Sequence, residues 1–294
     1  MNAVGRVIAA IMMFAISVGL AAWVGQDSVE FAGLPGLVVC ALVAIGINWL
    51  GFIPASMKQT ESFYDLVGSM TYLTVVALAL VIATQSAELT LQGIITATMV
   101  AVWALRLGSF LYKRIHKAGR DPRFDDIKRS RSKFFFAWTA QGMWVFMTLF
   151  AVLISLTGSQ PIDSSSDPVT LLGWVIWAAG FAIEVIADRQ KSAFNAEPNN
   201  KGRWIDTGLW KTSQHPNYFG ETLLWTGLFI AGIPSYTGLE WLACISPIFV
   251  CLLLTRGSGI PLLDERAMAK WGDDPEYLAY RERTSKFICL PSKG

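Results

Sequence analysis

The nine residues 213–221, SQHPNYFGE, gather more reactive side chains than any stretch of comparable length in this 294-residue chain. His215, Asn217, Tyr218 and Glu221 stand where a polar segment meets an apolar one. Polar groups at membrane depth are costly and mark ligand sites or proton paths. His215 is one of only two histidines. Asn217 and Glu221 are spaced i, i+4, so they share a helix face as they enter the apolar run. Upstream, Glu184 and Asp188 have the same spacing at the end of another apolar run. Two acids on one face repel when both are charged. They are better placed accepting hydrogen bonds from hydroxyls or amides, such as those of a ribose or a carboxamide. Lys191 and Asn195 continue a similar face one and two turns on. Taken singly, each of these residues also fits a snorkelling helix end.

Three other groups carry chemistry. Residues 113–133 hold nine Lys or Arg against three Asp. Such a loop can simply touch anionic headgroups. Arg106 lies about two turns inside the preceding apolar run and Arg114 follows at i+8, on nearly the same face. Arg120 sits in a Gly-Arg-Asp-Pro turn. Arg106 and Arg114 read as a phosphate clamp leading into the basic loop, and the glycine beside Arg120 lets backbone approach a ligand. The tail after residue 256 contains Tyr277, Tyr280 and Arg281, which suit either a surface amphipathic helix or closure over a nucleotide. Finally, Gln59, Glu61, Tyr64 and Asp65 cluster at the start of an apolar run. A carboxyl there has a raised pKa and can donate a proton, or it can simply favour a helix N-terminus.

The elements that must position these groups are membrane helices. Hydrophobic residues make up 53% of the chain and charged residues only 16%, against roughly 25% charged in soluble domains. Eight apolar segments are expected, near 7–24, 34–54, 66–85, 91–112, 134–157, 169–187, 219–233 and 240–255; the last two are either a hairpin of spans or one broken span. About twenty apolar residues span a bilayer as a helix. The fold class is therefore all-α: a polytopic transmembrane bundle of seven to eight spans. The run at 7–24 is read as a retained span rather than a signal peptide. The connections 25–33, 86–90, 158–168 and 234–239 contain no Lys or Arg but do contain Asp27, Glu30, Glu88, Asp163 and Asp167. The other connections and the tail hold nearly all the basic residues, which places them and the C-terminus in the cytoplasm. The four cysteines form no CxxC pair, so neither a disulfide framework nor a metal site is expected.

These segments together resemble the steroid 5α-reductase family, closest to its bacterial membrane branch and related to sterol C14-reductases and isoprenylcysteine carboxyl methyltransferases. The resemblance covers roughly residues 90–291. It is carried by WALR at 103–106, GRDP at 119–122, DRQ at 188–190, GLW at 208–210, HPNY at 215–218 with Gly220 and Glu221, and the stretch from Trp271 to Tyr280. It implies an integral protein of the bacterial inner membrane in which residues 90–291 hold NADPH in a cytoplasm-facing cavity. Residues 1–89 would form the substrate pocket of the same integral domain. A steroid or sterol-like enone would enter from the lipid. No nucleic-acid partner is implied, and a monomer is expected.

By the resemblance, Arg106 and Arg114 bind phosphate, and Asp188, Asn217 and Glu221 contact the nucleotide. Arg120, Lys191, Asn195, His215, Tyr218, Tyr277, Tyr280 and Arg281 are expected, from their own types and positions, to complete the cofactor site. Glu61, protonated in a dry pocket, would be the catalytic acid, with Gln59 beside it. The family's partner tyrosine falls on Trp103 here, so either another tyrosine replaces it, with Tyr64 the first choice, or the proton-donor arrangement differs. The chemistry implied is hydride transfer to the β-carbon of a 3-oxo-Δ4 steroid, with Glu61 stabilising the enolate. The alternative is a membrane methyltransferase using S-adenosylmethionine, which has no phosphate for a basic loop to bind.

Overall fold

The computed structural model describes residues 2–86, 89–119, 121–159 and 162–291. Among them, seven helical segments are long and apolar enough to cross a membrane. The eighth expected segment, at 219–233, forms a helix of 17 residues, Pro216–Gly232. At 1.5 Å per residue it reaches about 25 Å, short of the roughly 30 Å hydrocarbon core. The segment at 240–255 falls within the candidate span Gly238–Trp271, whose helix is interrupted between Arg256 and Ile260. The described contacts divide the chain into two compact units.

The first unit comprises Met1–Asp167 with Gly232–Ile245. Its helices are α1 (Ala3–Val24), α2 (Gly36–Lys58), α3 (Tyr64–Ala83), α4 (Leu91–Ala118) and α5 (Arg131–Thr157). Helix α5 is apolar on every face and is therefore the central one: Phe134, Trp138, Phe146 and Phe150 along it are fully buried. Helices α1, α2 and α3 pack around it. Within this apolar packing, some polar side chains find partners on neighbouring helices. Asn48 of α2 donates to Thr71 of α3 at 3.2 Å, and Trp49 donates to Thr139 of α5 at 3.0 Å. In hydrocarbon an unpaired polar group costs more than one such bond returns. Between α1 and α2, the strands Glu30–Phe31 and Leu34–Pro35 form a minimal hairpin. Its turn residues Ala32 and Gly33 have φ of 54° and 76°, the left-handed pair that a two-residue hairpin turn requires.

The second unit comprises Pro168–Ala231 with Ser246–Gly294. It contains α6 (Pro168–Ala196), α7 (Pro216–Gly232), α8 (Ile245–Arg256), α9 (Ile260–Trp271) and α10 (Pro275–Arg283). Helices α6 and α7 meet through glycine. A Cβ on Gly180 would stand 2.5 Å from the Leu224 nitrogen, and one on Gly220 would stand 2.7 Å from the Glu184 nitrogen. Gly173 and Gly227 make equally close approaches one heptad along, to Ala231 and Trp177. Backbone therefore lies on backbone along an antiparallel seam, the small-residue packing that membrane helices favour. The seam sets the level of Glu184 and Asp188 on α6 against the first turns of α7, where Asn217 and Glu221 stand.

Candidate functional site

In the second unit, the end of α6, the connection to α7, and α9 and α10 enclose a cavity of about 270 Å³. Its walls are aromatic and braced by hydrogen bonds. Trp210 donates its indole proton to the Ala187 carbonyl at 3.0 Å, and the Tyr280 hydroxyl donates to the Trp210 carbonyl at 2.8 Å. The Trp204 and Tyr277 rings meet edge-on at 5.1 Å. The ammonium of Lys191 lies 4.4 Å from the Trp210 ring and that of Lys270 lies 4.3 Å from the Trp271 ring. Arg203 and Arg266 also line the cavity. The lining thus sets four Lys or Arg side chains against one carboxylate, Asp264.

Asp264 is also the hub of the site's ion pairs. It takes Lys286 at 2.7 Å, Arg281 at 3.5 Å and the His215 ring at 3.4 Å. Burial lowers the His215 pKa and Asp264 opposes that only in part, so the ring leans toward its neutral form. Burial likewise pushes the Tyr280 phenol up. The residues beside His215 fasten the C-terminal tail. Ser213 donates to the Phe287 carbonyl at 2.7 Å, and the Gln214 amide side chain donates to the carbonyls of Arg281 at 3.0 Å and Thr284 at 2.9 Å. The polar residues just before α7 therefore serve partly to hold the tail over one wall.

Of the residues singled out from sequence, Lys191, Asn195, His215, Tyr277 and Tyr280 line this cavity. Arg281 stands behind it, paired with Asp264 and lying 5.8 Å from the Tyr277 ring. Tyr218 stacks on His215 with ring centroids 5.9 Å apart. Asp188 is buried on α6, while Asn217 and Glu221 are half-buried at the start of α7. None of these last four is among the cavity's lining residues. Sequence reasoning missed Asp264, Arg203, Arg266 and Lys270 as site residues. The i, i+4 pair Arg266 and Lys270 was visible, but on a tail helix it looked like ordinary membrane-surface charge.

The first unit holds the remaining candidates. Arg106 is half-buried rather than fully buried, with its guanidinium 5.2 Å from the Phe110 ring. Arg114 faces Asp65 at 4.0 Å. Arg120 lies outside the described residues. Part of the basic loop is neutralised within the unit: Arg123 donates to Asp121 at 2.7 Å, and Lys128 donates to Glu61 at 2.7 Å. The expectation of a protonated Glu61 is therefore corrected. Burial pushes its carboxyl up, but the Lys128 ammonium and the Asp121 backbone N–H, at 3.0 Å, outweigh burial and hold it below the usual glutamate range. Gln59 ends α2 with left-handed φ of 51° and donates to the Ser56 carbonyl at 3.0 Å. Tyr64 donates to the Ala137 carbonyl at 2.9 Å, wedged against Phe124 and Trp138.

Comparison with known proteins adds two findings. Over 162 residues the chain is 27% identical to a probable O-methyltransferase, ustE, of Ustilaginoidea virens, covering 48% of this chain and 55% of that protein. The chain thus spans about half the length of this curated relative. No solved structure matches it. Residues 51–284 match a family described as "Protein of unknown function (DUF1295)", which is related to steroid 5α-reductase-like membrane proteins. With most of its length inside that match, this polytopic membrane protein belongs to the DUF1295 family.

Proposed function

We propose that this protein is an NADPH-dependent reductase of a lipid-borne enone, with 3-oxo-Δ4 steroids as the first substrate class to test. The charge balance of the second unit's cavity carries this reading. Lys191, Arg203, Arg266 and Lys270 surround a space with one opposing carboxylate, Asp264. NADPH bears several phosphate charges and is drawn to such a lining. S-adenosylmethionine bears a sulfonium and an ammonium against one carboxylate, so it is net cationic and repelled. The cavity, at about 270 Å³, is at the small end of ligand pockets, which run from roughly 300 to 1,000 Å³. It suits the adenosine-phosphate half of the dinucleotide. Trp204 and Tyr277 would stack the base, and the four cations would hold phosphate. Trp210, Tyr277 and Tyr280 are buried, whereas the four cations are exposed at the rim, so solvent and salt screen those charge contacts.

When bound, NADPH supplies the hydride. The chain's own residues bind, orient and shield. Asp264 keeps Arg281, His215 and Lys286 together at one wall. The glycine seam fixes α6 against α7, and so the height of Asp188 relative to Asn217 and Glu221. Glu61, held as a carboxylate by Lys128, locks the 121–128 loop onto the start of α3 and is not assigned the proton transfer. The reading also places the basic connections and the tail in the cytoplasm, where they would meet the cofactor.

The second reading is a methyltransferase, favoured by the ustE match. Titration of the detergent-purified protein separates the two. NADPH is expected to bind more tightly than S-adenosylmethionine. Replacing Arg203 and Arg266 together by Ala is expected to weaken NADPH about tenfold or more, since hydrogen bonds to charged groups are worth roughly 1.5–3 kcal/mol and these two are partly solvent-screened. Tighter binding of S-adenosylmethionine, unaffected by the double substitution, would reject the reductase reading.

A further inference from the structure

A second cavity, of about 460 Å³, lies in the first unit at the other end of α2 and α5 from Glu61. Its volume is within the range of small-molecule sites. Asp27 and Glu240 supply its charge, and no Lys or Arg is among its lining residues. Trp23, Leu37, Ile154 and Leu239 supply its apolar surface. The two halves have different origins. Residues 25–27 turn the chain out of α1, which leaves Asp27 exposed at the rim. Glu240 caps the short helix Gly238–Cys244, with one carboxylate oxygen accepting from the Thr237 backbone N–H at 2.8 Å and its hydroxyl at 3.0 Å. Its other oxygen is on the side of Gly158, 3.7 Å from where a Cβ would stand. Beside the cavity, Trp23 is 54% exposed and continues the outward apolar face of α1 that includes Ile11, Met12 and Ile16. A tryptophan so placed sits at the border of hydrocarbon and water.

We propose that this cavity binds an amphipathic amine drawn from the membrane, with its ammonium between Asp27 and Glu240 and its chain against Trp23, Leu37, Ile154 and Leu239. Two carboxylates with no cation among the lining residues select positive charge. The exposed indole adds a cation–π face. The apolar floor and the adjoining face of α1 select a ligand that carries a hydrocarbon chain. The cavity belongs to the first unit alone and stands independently of the reductase reading.

The test uses the full chain in neutral maltoside micelles, with dodecylamine as probe and propylamine and dodecanol as controls. Calorimetric titration is expected to show saturable dodecylamine binding, at least tenfold weaker propylamine binding, and no saturable dodecanol binding. Asp27→Asn and Glu240→Gln should each weaken dodecylamine about tenfold, the loss of one hydrogen bond to a charged group. Glutamine retains a carbonyl oxygen to cap Thr237, so Glu240→Gln keeps the helix start. Every arm uses the same micelles, so partitioning cancels between variants. Wild-type dodecylamine affinity in the double variant would overturn the proposal. So would dodecanol binding as tightly as dodecylamine, or propylamine matching it.

Discussion

Replacing Glu61 by glutamine tests the sharpest reversal between sequence and structure. The carboxylate is 5% exposed and receives two donors: the Lys128 ammonium at 2.7 Å, itself 22% exposed, and the Asp121 N–H at 3.0 Å. Glutamine can still accept from Asp121 but removes the charge that Lys128 faces, leaving that ammonium with Asp125 at 3.9 Å. A hydrogen bond between charged groups is worth roughly 1.5–3 kcal/mol, and partial solvent access to Lys128 reduces it, so the expected loss is about 1–2 kcal/mol. For a unit of this size that is a melting decrease of about 2–8 °C. The pH dependence fixes the sign. Glu61's folded pKa is lowered, so its contribution is complete above the unfolded value of about 4.3 and is lost as pH falls through the lower folded value. Thermal unfolding in detergent should therefore separate wild type from Glu61→Gln at pH 7 and pH 5, with convergence only in stronger acid. A variant as stable as wild type at pH 7, or more stable, would mean that Glu61 is neutral there and that the Lys128 pairing is wrong.

Other outcomes follow from the same reasoning. Gly180→Ala forces a methyl group against the Leu224 nitrogen of α7, where backbone cannot give way; it should cost about 1–3 kcal/mol of stability and weaken NADPH binding. Gly46→Ala in α2, where a Cβ would meet nothing within 4 Å, should instead stabilise by about 0.5–1 kcal/mol. His215 has a lowered pKa, so below about pH 6.5 the unfolded chain takes up a proton that the folded ring resists. Melting temperature should fall with acidity in that window, and His215→Gln should flatten the fall. Asp264→Asn releases Lys286, 59% exposed in its pair, and should speed tryptic cleavage after that lysine while lowering stability by only about 1 kcal/mol or less. An unchanged cleavage rate would show that the Ser213 and Gln214 hydrogen bonds hold the tail alone.

What the sequence settles by itself is what depends on local composition and spacing. Seven of the eight expected apolar runs fall in candidate spans, because a backbone in hydrocarbon must satisfy its own hydrogen bonds and helices do so within the segment. The i, i+4 pairs Glu184/Asp188 and Asn217/Glu221 fall on helices, whereas Glu61 lies before α3, and the residues of SQHPNYFGE gather at the start of α7 because Pro216 favours a helix's first turn. Tertiary structure decides which charges meet. Glu61 finds Lys128 across 67 residues and the Asp121 N–H across 60, and those two donors together hold the carboxyl below the usual glutamate range. Asp264, one charge among many on an amphipathic tail, becomes a hub because His215, Arg281 and Lys286 converge on it from other elements. The glycines of α6 and α7 could each have served a turn or a kink. Their heptad spacing becomes a seam only once two helices face each other at backbone distance. Apolarity and helical period act over a few residues, whereas the energy of a buried charge depends on whichever partner the whole fold delivers.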